Sequence, residues 1–352
     1  MKWRVAFVSV VPSPYQRDLF AALAERPEVA LSVFYLEASS PDSPWPEKPL
    51  AAFEKILPGF WFPVGGARVH LNRALPDPRE FDLVVLNTLM SVTAQRMMRG
   101  ALRKRRWMFW GERLGDRGSW HRKICAPLNQ AAGIAAIGSQ AQTDYRQRFP
   151  KPRTFNIPYH CALDRFLEQP RAPRSSDEVV FLMCGQMIAR KGVDLLLNAF
   201  SRLDHGRLLL VGREAELPLL MRDVPEHVRA RIEYAGFQPP EALPALFARA
   251  DVFVLPSRYD GWGVVVNQAL GAGLPILCSD AVGAAHDLVE EGVNGELFAS
   301  GDLDGLTAAL RKMSEDPELI VRWGAASRRR AEKWSPEAGA AKWISAISEV
   351  LE

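Results

Sequence analysis

PSRYDGWGVVVNQALGAGLP, residues 256–275, follows the apolar run DVFVLPS and leads into a second one, PILCS. Between the two runs lie a glycine-bearing bend (Tyr259, Asp260, Gly261, Trp262, Gly263) and an apolar stretch with helical spacing. Strand, loop, helix and strand in that order make one repeat of a parallel α/β sheet. Asp260 in the bend and Gln268 in the helix stand eight residues apart, so both can face a ligand held at the helix N-terminus. Backbone N–H groups left open by the glycines, together with the positive end of the helix, suit an anion. A well-packed turn of an ordinary α/β domain gives the same pattern without any ligand.

Outward from that stretch, a chain of 352 residues is too long for one comfortable core and suits two domains. An apolar fraction of 48% with 24% charged residues places it among ordinary globular proteins. Cys125, Cys161, Cys184 and Cys278 show no metal-type spacing, and the first residues do not resemble a cleaved signal, so a reducing cytoplasm is expected. No apolar run is long enough to span a bilayer. The net charge of +3 is unevenly divided, with residues 1–170 carrying 24 Lys and Arg against 15 Asp and Glu. Part of that excess is the run Arg103, Lys104, Arg105 and Arg106. No nucleic-acid motif accompanies it; it reads first as a solvated helix end, and second as an attraction to anionic lipid or a phosphorylated acceptor.

In chain order, WRVAFVSV reads as a strand, and Ser13 and Pro14 as the cap and first residue of a helix. Tyr15, Gln16 and Arg17 then fall at the carboxyl edge of the sheet, where α/β proteins bind ligands; for any one of them, helix capping and surface solvation are the better account. Residues 38–73 break the rhythm, with prolines at 41, 44, 46, 49, 58 and 63 and a scatter of aromatics that includes Trp45, Phe60, Trp61 and Phe62. A long loop is expected there, its aromatics either docking a lipid-bearing acceptor at a membrane or folding onto the domain's own core. FDLVVLNT, RRWMFWG and GIAAIGS read as further strands, with Glu112 at the end of the second and Ser139 capping a helix after the third. Residues 170–178, PRAPRSSDE, read as a linker. After it strands and helices alternate again to about residue 335, and 336–352 form a last amphipathic helix that can cross back to the first domain. The expected domains are therefore 1–170 and 171–335, two Rossmann-like parallel-sheet units facing across a cleft.

Arg190 and Lys191 lie between the strand ending at Gly185 and the helix beginning near Val193. Two cations there oppose the helix dipole, an arrangement that calls for an anion, and Arg with Lys suits a diphosphate. GQMIARKG is not a P-loop, because no Ser or Thr follows the lysine. Asp302 and Asp304 imitate a metal-binding pair but precede a helix, so capping is the better account. The histidines are scattered, and no zinc spacing or nucleophile elbow is present.

FLMCGQMIARKGVDLLLNAF and DVFVLPSRYDGWGVVVNQALGAGLPILCSDAVGAAHDLVEEGVNGELF resemble the donor half of the family 4 retaining glycosyltransferases, which have the GT-B fold. IAAIGSQAQTDYR and TFNIPYHCALDRF are similar to the end of that family's first domain; before residue 130 only the layout is alike. The resemblance implies a metal-independent transfer of sugar, with no cofactor, from a nucleotide-diphosphate sugar to a glycan or lipid-linked acceptor in bacterial surface-polysaccharide or glycolipid assembly. It implies that Arg190 and Lys191 hold the diphosphate, and that Gly185, Gln186, Gly261, Trp262, Gly263 and Val264 line the donor. The family has two Glu eight residues apart, the first on the sugar and the second on the ribose; Asp260 and Gln268 stand in their places. Near the family's active-site His of the first domain stands Glu112, with His121 further off. Peripheral contact with the inner membrane face fits this setting. A non-catalytic sugar-nucleotide binder, or an epimerase or hydrolase on the same fold, are the alternatives.

Overall fold

The computed structural model describes residues 2–39, 48–64, 67–115, 118–170 and 178–352. It divides into two units, 1–161 with 336–352, and 162–335. The first contains β1 (Trp3–Ser9), β2 (Val29–Tyr35), β3 (Glu54–Ile56), β4 (Gly59–Val64), β5 (Ala67–Asn72), β6 (Leu83–Leu86), β7 (Trp107–Gly111), β8 (Gly133–Ala136) and β9 (Arg153–Asn156). Seven of these form a parallel sheet in the order β3-β2-β1-β6-β7-β8-β9, and β4 pairs with β5 as an antiparallel ribbon. Every residue of β6 and β7 is buried. That is the condition of strands covered by helices on both faces, and it is why they read as unbroken apolar runs.

The terminal helix Pro336–Leu351 completes this unit. Its buried Gly339, Ala340, Trp343, Ala346 and Ile347 recur at helical spacing, and the Trp343 ring lies edge-on to Phe7 and Trp110 with centroids at 4.9 and 5.4 Å.

The second unit has β10 (Val180–Cys184), β11 (Arg207–Val211), β12 (Ile232–Tyr234), β13 (Val252–Leu255), β14 (Ile276–Ser279) and β15 (Gly295–Phe298). All are parallel, in the order β12-β11-β10-β13-β14-β15. Both sheets reverse their winding beside their first strand, between β1 and β6 and between β10 and β13. At such a point the loops leaving neighbouring strands diverge and open a crevice at the carboxyl edge.

Four local expectations are corrected. The stretch 38–73 is not one long loop: its described part holds β3 and the β4–β5 ribbon, and Pro63 is accommodated because a two-stranded ribbon consists of edges. The boundary between units falls at residue 161, ahead of 170, because the helix Asp164–Glu168 belongs to the second unit; its Phe166 ring lies 5.4 Å from Phe247. Ser13 stands at the N-cap position, but its hydroxyl is buried and makes no capping bond. Ser139 is the first helical residue, with Gly138 at the cap. Nearly all of the expected linker 170–178, with Trp45 and the prolines at 41, 44 and 46, lies outside the described residues.

Candidate functional site

In the second unit the site begins where β10 ends. The N–H groups of Gly185 and Met187 extend the ladder past Cys184 by donating to the carbonyls of Val211 and Arg213, each at 2.9 Å. Gln186 lies half-buried between them. The chain then makes a single 3-10 turn, Ala189–Lys191, closed by Gly192 at φ +72°. A Cβ at Gly192 would stand 2.0 Å from the Pro256 carbonyl oxygen. Only glycine lets this turn lie against the end of β13.

That close approach brings the two cations to the bend at 258–263. Arg190 Nη1 donates to the Tyr259 carbonyl at 2.9 Å, and Arg258 N donates to the Arg190 carbonyl at 2.8 Å. Lys191 Nζ is ion-paired with Asp260 Oδ2, and the two side chains are 15% and 13% exposed. The anion that two cations before a helix call for is therefore supplied by the protein itself. Arg258, which carries no motif, grips both oxygens of Asp194 at 2.7 Å. Burial acts to raise the Asp194 carboxyl, but Arg258 outweighs it and holds the group below its ordinary value.

The bend is stitched to the turn after β14. Asp260 N donates to the Ala281 carbonyl at 3.1 Å, and the N–H groups of Gly283 and Ala284 donate to the carbonyls of Asp260 and Trp262 at 3.0 and 2.8 Å. Trp262 is 1% exposed, donates from Nε1 to Asn267 Oδ1 at 2.9 Å, and packs its ring 6.1 Å from that of Trp334. Its side chain anchors the bend, which leaves the backbone as its contribution to a ligand. Gly263 has φ +89°, and a Cβ there would lie 3.3 Å from Asp260 Oδ2. The Asp260 carboxylate thus rests against the start of the helix Val265–Gly271, where anions are favoured. That helix buries Val266, Asn267, Ala269 and Leu270 and leaves Val264, Val265 and Gln268 half-open on one face. Two thiols flank the crevice floor: burial pushes Cys184 up to about 12, and burial and then Asp260 raise Cys278 further. Both remain protonated and neither serves as a nucleophile.

In the first unit, Tyr15 and Gln16 past β1, Asn87 past β6 and Glu112 past β7 lie at the carboxyl edge of the sheet, and all four act on Tyr159. Gln16 Nε2 donates to Asn87 Oδ1 at 2.7 Å, and Asn87 Nδ2 donates to the Trp110 carbonyl at 2.8 Å. The Tyr15 and Tyr159 rings meet at 4.8 Å. The Tyr159 phenol is raised well above its ordinary value by burial first, then by Tyr15 and Glu112, against hydrogen bonds from Asn87 and Gln16. Asn87 and Tyr159 lie just past strand ends, in loops without a motif.

Arg17 and His121 are not part of that group. Arg17 grips the buried Glu54 through Nε at 2.9 Å and Nη2 at 2.6 Å, while the Tyr35 hydroxyl donates to the same carboxylate at 2.7 Å. It fastens β3 to the first helix and is spent on structure. His121 is buried in the helix Ser119–Cys125, with its ring nitrogens 3.8 and 3.9 Å from Cys125 Sγ. Asp302 caps its helix by accepting from Gly305 N at 2.9 Å, as expected, and Asp304 pairs instead with Arg202 at 2.7 Å. Among the described residues no group of three or more His, Cys, Asp or Glu is placed to hold a metal, and no helix is long and apolar enough to cross a membrane.

Residues 164–330 match the family described as glycosyl transferases group 1. Over 223 residues the chain is 26% identical to a GDP-mannose-dependent alpha-(1-6)-phosphatidylinositol monomannoside mannosyltransferase of Mycolicibacterium smegmatis, covering 58% of each protein. Over 250 residues it is 30% identical to a D-inositol 3-phosphate glycosyltransferase of Geodermatophilus obscurus, covering 65% of this chain and 54% of that one. The alignments thus span little more than half the length of these relatives. Among solved structures, sucrose-phosphate synthase from Thermosynechococcus elongatus superposes with a TM-score of 0.75 at 20% identity over 99% of both chains. Anabaena Alr3699/HepE in complex with UDP gives 0.74 at 18% identity, over 99% of this chain and 100% of that one. The shared architecture is the α/β GT-B fold.

Proposed function

We propose, from the match of residues 164–330 to the group 1 glycosyl transferases, that the protein moves a sugar from a nucleotide-diphosphate sugar to an acceptor hydroxyl, retaining the anomeric configuration and using no metal. The observation that carries the proposal is the meeting of Arg190, Lys191 and Asp260 at the winding reversal between β10 and β13, beside a helix N-terminus. A diphosphate takes the place of the Asp260 carboxylate on Lys191. The exposed Arg190 guanidinium, which spends one N–H on Tyr259, has further donors for it. Released by Lys191, Asp260 turns to the sugar hydroxyls, and Gln268 on the half-open helix face bonds the ribose. Charge growing on the departing diphosphate is met by Lys191, Arg190 and backbone N–H groups. The acceptor attacks from the side the phosphate leaves, and that phosphate takes the acceptor's proton.

Glu112, Tyr159, Gln16 and Tyr15 in the first unit orient the acceptor, for which a glycan or lipid-linked glycan in surface-polysaccharide or glycolipid assembly at the cytoplasmic membrane face is the proposed class. The relative named for a GDP-mannose donor and a phosphatidylinositol-linked acceptor, and the neighbour solved with UDP, support a nucleotide-sugar and an acceptor of this kind. Lys191→Ala tests the reading: release of nucleoside diphosphate in the presence of acceptor should fall about 100- to 1,000-fold while both units still melt cooperatively. Turnover like that of the wild type refutes it. The occupation of Lys191 by Asp260 favours one second reading, a sugar-nucleotide binder without turnover. Calorimetric binding of donor with no product across an acceptor panel would establish that instead.

A further inference from the structure

The β4–β5 ribbon carries a surface that no transfer step uses. Its register sets Phe60 opposite Leu71 and Phe62 opposite Val69 on one face, which Val64 shares by alternation. Gly59 with Asn72, Trp61 with His70 and Pro63 with Arg68 share the other. On the second face the β5 side chains are bound to the body of the unit, while Trp61, 44% exposed, lies open on β4. Arg68 Nη1 lies 3.1 Å and His70 Nε2 lies 3.3 Å from Glu37, and Asn72 donates from Nδ2 to the carbonyls of Leu36 and Leu57 at 3.0 Å. The described side chains of the first face are all apolar, with Phe60 51% and Val64 53% exposed and Phe62, Val69 and Leu71 half-buried; Ile56, 41% exposed, lies on β3 just before the ribbon. A two-stranded ribbon gains little stability alone, and an open, wholly apolar face on one marks a binding surface.

Charge decides what covers it. Exposed Lys55, Arg73 and Arg96 stand at the base of the ribbon; Arg73 N donates to the Pro58 carbonyl at 3.1 Å and Arg96 Nη1 to the Asn72 carbonyl at 3.3 Å. Among the described residues none of the three forms an ion pair, and the neighbouring acids are engaged, Glu37 by Arg68 and Glu54 by Arg17. A second copy docking by two-fold symmetry would set these cations against themselves. A surface that is apolar below and anionic above satisfies both halves of the patch. We propose that the apolar face of the β4–β5 ribbon inserts into the interface of an anionic lipid bilayer, with Lys55, Arg73 and Arg96 on the head groups.

The proposal is independent of the transfer chemistry, and vesicle co-sedimentation tests it. The full chain should partition onto vesicles of phosphatidylcholine mixed with phosphatidylglycerol, and more weakly onto phosphatidylcholine alone. Phe60→Ser with Val64→Ser should lower partitioning about tenfold, and Lys55→Gln with Arg73→Gln should reduce binding to anionic vesicles to the phosphatidylcholine level. Melting curves of all variants should match the wild type, since these side chains are open to solvent. Wild-type protein that stays in the supernatant with anionic vesicles, or variants that partition as it does, overturn the proposal. So does a dimer in light scattering that Phe60→Ser with Val64→Ser dissolves, which would assign the face to a second copy. Nucleoside diphosphate binding, measured by calorimetry on the same lipid-free preparations, reports the donor site separately.

Discussion

Replacing Asp260 by Asn removes one charge at nearly constant shape, and the proposed donor pose gives that charge two opposed effects. The carboxylate lies against Gly263 at a helix start and pairs with Lys191, so it occupies the place proposed for the diphosphate. Exposed ion pairs are worth about 0.5 kcal/mol, while breaking a fully buried one costs about 3 to 5 kcal/mol. With side chains 15% and 13% exposed, the Lys191–Asp260 pair stands between these limits, at about 1 to 2 kcal/mol. A nucleoside diphosphate that must displace the carboxylate forfeits this amount, so Asp260→Asn should tighten its Kd about five- to thirtyfold. Turnover of the intact donor should fall all the same, because the sugar loses its charged partner. Calorimetry with UDP, GDP and ADP on wild type and variant reads the first effect, and steady-state transfer reads the second. The difference in Kd should shrink as salt is raised, since the pair is only partly shielded from solvent. A Kd that is unchanged or weaker in Asp260→Asn would show that phosphate and carboxylate do not compete for Lys191, and the donor pose built on that competition would be wrong.

Two further outcomes follow from packing and burial. Gly192→Ala puts a Cβ 2.0 Å from the Pro256 carbonyl at φ +72°, so it should destabilise the second unit by about 3 kcal/mol or more and abolish nucleoside diphosphate binding; a melt within a degree of wild type would contradict the close approach. His160, 1% exposed, is held neutral down to about 4 by burial, which outweighs the opposing Pro158 carbonyl and is helped slightly by Lys342. Its contribution is complete above its ordinary value of 6.5 and is lost as pH falls toward 4, because the unfolded chain takes up the proton first. The slope is about 1.4 kcal/mol per pH unit. Denaturant melts from pH 7.5 down to 4.5 should show that slope in the wild type and lose it in His160→Asn, and parallel slopes would remove His160 as the cause.

Most of the second unit was legible in the sequence because β13 and β14 are buried throughout and β10 and β11 nearly so, which makes them continuous apolar runs, while Gly192, Gly261 and Gly263 punctuate the loops between them. The β4–β5 ribbon was hidden for the converse reason. Prolines at 49, 58 and 63 imitate a loop, and only cross-strand register shows that Phe60, Phe62, Val64, Val69 and Leu71 share a face. Arg17 illustrates a second limit. Its position after β1 suits ligand binding, but a carboxylate 37 residues away claims it, and no local pattern announces a partner at that distance. Lys191 and Asp260 illustrate a third, since they are 69 residues apart and meet only because β13, not β11 alone, lies beside β10. Strand order is set by how two layers of helices cover a sheet, and hydrophobic periodicity does not encode it. Cations before a helix therefore establish that an anion belongs there, and the strand order decides whether a side chain of the protein can reach that place first. In this chain one does, and on the proposed donor pose a nucleotide-sugar that binds must compete with Asp260.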